Sequence, residues 1–138
     1  MRKGDATRAR ILEEAAQQAS LRGLTAVSLN DVAEAIGISK SGVFKHFQSK
    51  EAMQLAVLEA TVDRFRAVVW TPVLPLPQGA VRLKAMFQRM LDWDEEECGQ
   101  YGCLIQSATV EFEDQPGPMR DLLQEGHGEL LRVLATEF

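Results

Sequence analysis

The sequence predicts an all-α protein, and three observations support this fold class. Apolar residues recur at helical spacing in successive stretches, first at Ile11, Leu12, Ala15, Ala16 and Ala19. Serine, glycine and proline stand where these stretches begin or stop. No stretch has the alternating pattern of a convincing strand. With 138 residues, 46% of them hydrophobic, the chain can bury a core without disulfides or metal.

The first helix is expected from Thr7, after a polar and frayed beginning at residues 1–6. Gly23 ends it because glycine tolerates a left-handed backbone. Ser28 can cap a second helix, whose buried stripe is Leu29, Val32, Ala33 and Ile36.

Gly37 is placed to break the second helix with positive φ, and Ser39 then caps a third helix. The apolar positions of this third helix are Val43, Phe44 and Phe47. Two helices that merely pack together would share this pattern. A short, basic and capped helix after the turn glycine nevertheless favours a DNA-binding helix–turn–helix over residues 28–47.

Ser49 caps the longest helix, which runs to about Trp70 and ends before Pro72. A semi-rigid, proline-rich connector follows at 71–79. A fifth helix is expected over 80–93, with an inner face of Val81, Leu83, Met86, Phe87, Met90 and Leu91. Two more helices, at about 104–113 and from about Pro118, complete the predicted elements.

The formal net charge of −5 argues by itself against a nucleic-acid partner, but the charge is unevenly distributed. Residues 1–50 carry eight Lys/Arg against five Asp/Glu, and residues 51–138 carry seven against fifteen. A basic head on an acidic body is typical of a protein whose one end meets phosphate. The sequence has no apolar signal peptide core or membrane-span pattern, so a cytoplasmic protein with reduced thiols is expected.

The chain resembles TetR-family transcriptional regulators strongly over residues 5–65. The matching segments are TRARILEEAA (7–16), VSLNDVA (27–33), GISKSGVFKHF (37–47) and SKEA (49–52), together with Gly23. A weaker resemblance runs from Gly102 through Glu111 and Phe112 to Pro118. The resemblance implies a DNA-binding domain at 5–65 and an effector-binding and dimerisation domain at 66–138. It also implies a homodimer, usually a repressor, that a small molecule releases from a palindromic double-stranded operator.

The sequence departs from the family pattern in two places. Phe44 stands where members usually carry tyrosine, which removes a hydroxyl that could bond a phosphate. Members also usually continue through two more helices that form the dimer interface. We therefore expect either that the sequence is incomplete at its C-terminus or that dimerisation uses another surface.

The candidate DNA-binding residues lie in and around the third helix, and the competing interpretation is a solvated surface. Gly42 would allow close approach, Val43 would read a thymine methyl, and the cations would meet phosphate or guanine. Helix N-termini at Ser28 and Lys50 favour phosphate. The full set is Thr7, Arg8, Ser28, Lys40, Ser41, Gly42, Val43, Phe44, Lys45, His46 and Lys50.

An apolar effector pocket is the weaker hypothesis, because the same residues could be plain core. Its candidates are Phe65, Met86, Met90, Trp93, Tyr101, Ile105, Thr109 and Phe112, with His127 as a possible polar group. Cys98 and Cys103 raise the alternative of a thiol-responsive regulator, although their spacing is not that of a metal or Cys-x-x-Cys motif. No cofactor, metal site or catalytic set is predicted, so the chain is not expected to be an enzyme. A helical interaction module or enzyme without DNA binding is the remaining alternative.

Overall fold

The computed structural model describes residues 2–138 and confirms the all-α prediction: these residues form seven α-helices and no strand. Short 3₁₀ and π-helical turns link several of them. The helices are α1 (Lys3–Arg22), α2 (Leu29–Ile36), α3 (Lys40–Phe44), α4 (Lys50–Phe65), α5 (Ala80–Trp93), α6 (Leu104–Phe112) and α7 (Pro118–Ala135).

Helix α1 begins earlier than the sequence pattern indicated, because residues 3–6 are helical rather than frayed. The side chain of Thr7 donates to the Lys3 carbonyl at 3.1 Å, and Asp5 lies in the first turn, where a negative charge favours the positive end of the helix. Gly23 does end the helix with φ of 87°. Met1 lies outside the described residues.

The head consists of α1 to α3 and the first half of α4, packed around one hydrophobic core. Ile11, Leu24, Val27, Val32 and Leu58 are fully buried in it. Residues of α6 and α7 enter the same core, among them Leu104, Ala108, Phe112 and Leu123. The head therefore packs directly against α6 and α7 of the body and shares a hydrophobic core with them.

The long helix changes its geometry in the middle. Regular α4 ends at Phe65, a π-helical turn follows at Arg66–Trp70, and a 3₁₀ turn containing Pro72 ends it at Thr71–Val73. A second π-helical turn, Asp94–Cys98, extends α5. Each π turn widens the helix by one residue, and such turns are frequently found at functional sites.

The body consists of α5 to α7 and the end of the long helix. Its own core contains Val69, Trp70, Met86 and Trp93. Three residues of the expected inner face of α5 are instead exposed: Val81, Phe87 (62%) and Leu91. The correction follows from packing, because only one side of α5 is covered by the long helix and α7. None of the helices in residues 2–138 is long and apolar enough to cross a membrane.

Candidate DNA-binding surface and ligand cavity

The helix–turn–helix has the local geometry that its sequence indicates. The Ser28 hydroxyl accepts the Asp31 amide at 3.1 Å, and the Ser39 hydroxyl accepts the Gly42 amide at 3.0 Å. Between them, Gly37 has φ of 73° and ψ of 32°, a left-handed conformation that glycine adopts without a steric cost. The turn therefore fixes the direction in which α3 leaves α2.

Helix α3 presents most of its predicted DNA-facing side chains to solvent. Lys40, Ser41, Phe44 and Lys45 are exposed, and Phe44 keeps 52% of its surface accessible. Phe44 is therefore not part of the buried side of α3, where the apolar spacing had placed it. A short helix with two exposed cations at its ends and an exposed ring is able to enter a major groove.

Val43 is the exception among the predicted DNA-facing residues. Its side chain is completely buried in the head core, as is nearly all of Phe47. Val43 therefore cannot read a thymine methyl, and its assignment is corrected to core. The cause is the helical period, which turns position 43 inward when 41, 44 and 45 face outward.

Gly42 is half-buried against the turn. A Cβ at this position would lie 3.2 Å from the Ser39 hydroxyl oxygen and 3.6 Å from Ile38 Cδ1. Glycine here therefore leaves room for the serine cap and the turn residue.

The flanks of α3 carry the remaining candidates. The Arg8 guanidinium lies 5.0 Å from the centre of the Phe47 ring, a cation–π contact that holds α1 against the end of α3. His46 is half-buried near Gly4 at the beginning of α1. Lys50 is exposed in the first turn of α4, whose N-terminus is capped by Ser49 at 3.0 Å. Ser28 and Thr7 are both partly accessible.

A hydrogen bond between α1 and α2 was not predicted from the sequence. Arg10 donates to the Ile36 carbonyl at 3.0 Å and so pairs a cation with the negative C-terminal end of α2. The sequence offers no sign of this contact, because the two residues lie 26 positions apart.

A cavity of about 510 Å³ opens in the body between the long helix, α5, α6 and α7. Its wall is mostly apolar and aromatic, and exposed Phe87 and Leu91 lie at its edge. Both π-helical turns contribute to the wall through Arg66, Trp70 and Asp94. This volume falls within the range of small-molecule sites in proteins.

Four of the eight predicted pocket residues line this cavity: Phe65, Met90, Trp93 and Ile105. The other four do not. Met86 is fully buried behind the wall, Phe112 lies in the head core, and Thr109 is turned along α6 with its hydroxyl on the Ile105 carbonyl. Tyr101 is exposed and borders a separate open groove against α1 and α4, the outer groove.

The aromatic side of the cavity is ordered by edge-to-face contacts. The Phe65 ring lies 5.8 Å from the Trp70 ring and 5.3 Å from the Trp93 ring, with interplanar angles of 81° and 86°. Trp93 is only 6% exposed, and its indole Nε1–H has no acceptor among residues 2–138. Trp93 borders both the cavity and the outer groove.

The charged side of the cavity is organised around Arg66. Its Nη2 and Nε donate to one Glu129 carboxylate oxygen at 2.7 and 3.0 Å, and its Nη1 donates to Asp63 at 3.0 Å. The hydrogen bond to Glu129 is the largest cause of the raised pKa of Arg66. His127, proposed from the sequence as a possible polar pocket group, lies on the cavity wall and is otherwise exposed. The sequence pattern did not indicate Arg66 or Glu129, which lie 63 positions apart.

Cys98 and Cys103 are both free thiols. Burial raises the pKa of Cys98 to about 12, and the neighbouring Cys103 adds to the shift. A thiol with this pKa is protonated at neutral pH, and the thiolate is the reactive form. Cys98 therefore lacks the environment of a reactive, oxidant-sensing cysteine.

The turn between α1 and α2 is held from two sides, by α6 of the body and by α4. The Glu111 carboxylate of α6 accepts the Leu24 amide at 3.0 Å and the Thr25 amide at 2.7 Å. The buried amide of Gln54 on α4 donates to the carbonyl of Leu24 at 2.9 Å. Both helices also line the cavity, through Ile105 on α6 and Val62 on α4. Head and cavity are thus joined by two rigid elements.

Taken together, the helix–turn–helix head and the cavity-bearing helical body define an all-α protein of the helix–turn–helix class. Residues 11–57 match the profile of bacterial regulatory proteins of the tetR family, and residues 79–138 match the profile of the tetracyclin repressor-like C-terminal domain. The chain belongs to the TetR family.

Curated relatives include an activator and a repressor. The chain is 27% identical over 106 residues to the HTH-type transcriptional activator FasR of Mycolicibacterium smegmatis, covering 77% of this chain and 48% of the relative. It is 31% identical over 113 residues to the HTH-type transcriptional repressor KstR2 of Mycobacterium tuberculosis, covering 79% and 54%. The chain thus spans about half the length of the curated relatives it matches.

Solved structures show the same fold at low sequence identity. A TetR transcriptional regulator from Chloroflexus aurantiacus superposes with a TM-score of 0.87 at 24% identity, covering 99% of this chain and 69% of that one. AibR, crystallised with isovaleryl coenzyme A and operator DNA, superposes with a TM-score of 0.79 at 22% identity, covering 94% and 69%.

Proposed function

We propose that the protein is a sequence-specific DNA-binding regulator, and that it acts as a repressor whose double-stranded operator is released when an apolar small molecule enters the cavity. The observation that carries this proposal is the capped helix α3, which projects Lys40, Ser41, Phe44 and Lys45 from a rigid head. Its cations would neutralise phosphates and release counterions, which makes binding steeply salt-dependent. The DNA partner implies action in the cytoplasm.

The proposed division of labour assigns DNA binding to residues 5–65 and effector binding with dimerisation to 66–138. A homodimer would place one α3 in each of two successive major grooves. The DNA-contacting set is Thr7, Arg8, Ser28, Lys40, Ser41, Gly42, Phe44, Lys45, His46 and Lys50. Val43 is omitted because it is buried.

We infer that the cavity influences the head through the turn at 24–27. Glu111 and Gln54 hold opposite polar groups of that turn, and they belong to the two helices α6 and α4 that also line the cavity. A ligand that displaced α6 relative to α4 would strain these bonds and shift the head. Such a shift changes operator affinity only if the ligand binds one arrangement better than the other.

The curated relatives comprise both an activator and repressors, so they support transcriptional regulation in general, and the choice of repression is specific to this proposal. AibR supports the presence of both sites on this fold, because its crystal structure contains isovaleryl coenzyme A and operator DNA. The thiol-responsive alternative is not favoured, because Cys98 is buried with a raised pKa.

The test is fluorescence anisotropy with labelled DNA flanking the protein's own gene. We expect specific binding whose affinity falls steeply with salt. Lys40→Ala combined with Lys45→Ala should weaken binding and reduce the slope of log affinity against log salt by about 3.6, because the proposed homodimer loses four phosphate contacts at about 0.9 each. Lys84→Ala, an exposed lysine on α5, is the matched control and should leave both unchanged.

Absence of a specific complex with this DNA and with genomic fragments would contradict the proposal and favour an interaction module. An operator affinity that changed tenfold between reducing and oxidising buffer, and was insensitive to small molecules, would favour the thiol-responsive alternative instead.

A further inference from the structure

The indole of Trp93 is the buried polar group in the body that the fold leaves unused. Trp93 is only 6% exposed, and its Nε1–H finds no acceptor among residues 2–138. The indole nitrogen can only donate a hydrogen bond, so only an acceptor atom can be its partner. Buried donors in native proteins nearly always have a partner, so this position calls for an acceptor.

The surroundings of Trp93 explain why the protein itself does not supply that acceptor. Phe65 meets the indole edge to face at 5.3 Å, and Met90 and Ile105 line the same cavity. The carboxylate of Glu129 on the same wall is already engaged by Arg66 through two hydrogen bonds. The indole ring of Trp93 thus lies on an apolar wall that would contact a ligand, with Nε1 just beneath the accessible surface.

The charge of the wall restricts what that ligand can be. Arg66 is paired with Glu129 and with Asp63, while Asp94 adds a further carboxylate to the lining. The formal charge around the cavity is therefore negative, which disfavours a carboxylate ligand. A cation would suit the charge but would have nothing to offer an N–H donor.

We propose that the cavity takes a neutral, mainly apolar ligand carrying a carbonyl oxygen, and that Trp93 Nε1–H donates a hydrogen bond to this oxygen. The inference rests on the proposed function in placing the effector in this cavity. The volume of about 510 Å³ accommodates a drug-sized molecule, and the aromatic wall formed by Phe65, Trp70 and Trp93 would bury its carbon skeleton.

The experiment compares probes of one shape on the full chain. The probes are 2-octanone, 2-methyl-1-octene, which replaces the carbonyl oxygen with a CH₂ group, and octanoate. Binding is read from tryptophan fluorescence, because Trp70 also lines the cavity and remains as a reporter when Trp93 is changed. We expect 2-octanone to bind about tenfold more tightly than the alkene, the value of one well-made hydrogen bond. Octanoate should bind more weakly than the ketone.

The variant Trp93→Phe keeps an aromatic ring and removes the donor. It should abolish the preference for 2-octanone, and the alkene should then bind as tightly or more tightly, because the ketone oxygen would be buried without a donor. A tenfold preference that persisted in this variant would overturn the proposal, as would the absence of any preference in the unchanged protein. Tighter binding of octanoate than of the ketone would also overturn it.

A matched pair at Gly126 tests the location, because Trp93 also borders the outer groove. Gly126 lines the cavity within α7, and nothing lies within 4 Å of the position that a Cβ would occupy. Gly126→Phe should narrow the cavity and weaken the binding of both neutral probes, whereas Gly126→Ala should retain it. Undiminished ketone binding in Gly126→Phe would place the ligand elsewhere and overturn the proposal.

A measurement on the unchanged protein covers the case in which Trp93→Phe does not fold. The chain has two indole N–H protons, from Trp70 and Trp93. In proton–nitrogen NMR spectra, 2-octanone should move one of them downfield and the alkene should not. Equal responses to the two probes would overturn the proposal. Ketone binding that left operator affinity unchanged would instead count against the proposed function alone.

Discussion

In the head, α2, α3 and α4 each follow a serine whose hydroxyl accepts the amide three residues on, whereas α5, α6 and α7 of the body follow Gly79, Cys103 and Gly117. At the beginning of α5 a distant group replaces the local cap, because the Glu137 carboxylate accepts a hydrogen bond from the Gly79 amide at 2.7 Å. The head is therefore specified by short segments of sequence, and the body by long-range contacts.

The two regions also differ in how completely they are packed. The head core buries long aliphatic side chains with no accessible surface, including Ile11, Leu24 and Met53. The body carries both π-helical turns and leaves a cavity of about 510 Å³ between its helices. A tight head keeps α3 in one orientation, while a loosely filled body can respond to a ligand.

The largest expected effect comes from one substitution made in each region. Met53→Ala removes a fully buried side chain from the head core and should destabilise the protein by about 2–5 kcal/mol. Met90→Ala, on the half-buried cavity wall, should cost well under half as much because the space it leaves joins an existing opening. Urea denaturation of both variants measures the difference. Equal losses would show that the body is packed as tightly as the head.

The sequence predicted the head more accurately than the body because of this difference in specification. Ser28 and Ser39 each cap a helix that begins at the next residue, and Gly37 ends α2, as their residue types predict. Apolar spacing placed Phe44 inward wrongly because a five-residue helix is too short for its face to be read, and for the same reason Val43 could be assigned to both the core and the DNA side.

The body could be predicted as helices but not as a site. Arg66 and Trp70 lie four and eight residues after Val62, so all three reach the cavity from one side of the long helix. The partner that holds Arg66 there, Glu129, lies 63 positions away and leaves no local pattern. The contacts of Glu111 lie 86 and 87 positions away and leave no local pattern.

Glu111→Ala tests the connection between the two regions and should have the next largest effect. It leaves the Leu24 and Thr25 amides without their carboxylate partner, at an expected cost of about 1–3 kcal/mol. Hydrogen exchange at these two amides should accelerate by more than the loss of global stability accounts for. Glu113→Ala, an exposed residue just after α6, is the control. Unchanged exchange in Glu111→Ala would mean that the turn is held by Gln54 alone.

A smaller effect is expected where the head depends on a local cap. Ser49→Ala removes the hydroxyl that accepts the Ala52 amide at 3.0 Å and should cost about 0.5–2 kcal/mol in thermal or urea unfolding. Ser107→Ala in α6, whose hydroxyl bonds only the Leu104 carbonyl of its own helix, should cost less. If Ser107→Ala proved the more costly of the two, local capping would not be what distinguishes the head.

The smallest effects, and opposite in sign, are expected from changing one glycine to alanine in each region. Gly37 ends α2 with φ of 73°, where an alanine Cβ is strained although no atom lies within 4 Å, so Gly37→Ala should destabilise by about 1 kcal/mol. Gly126 lies inside α7 with no positive φ and the same open space, so Gly126→Ala should stabilise by up to about 1 kcal/mol. Parallel urea titrations measure both. Because neither methyl group meets another atom, the two changes isolate backbone conformation from packing. If both changes destabilised the protein, the backbone at Gly126 would be as tightly constrained as the turn at Gly37. The cavity could then not be attributed to loose packing around α7.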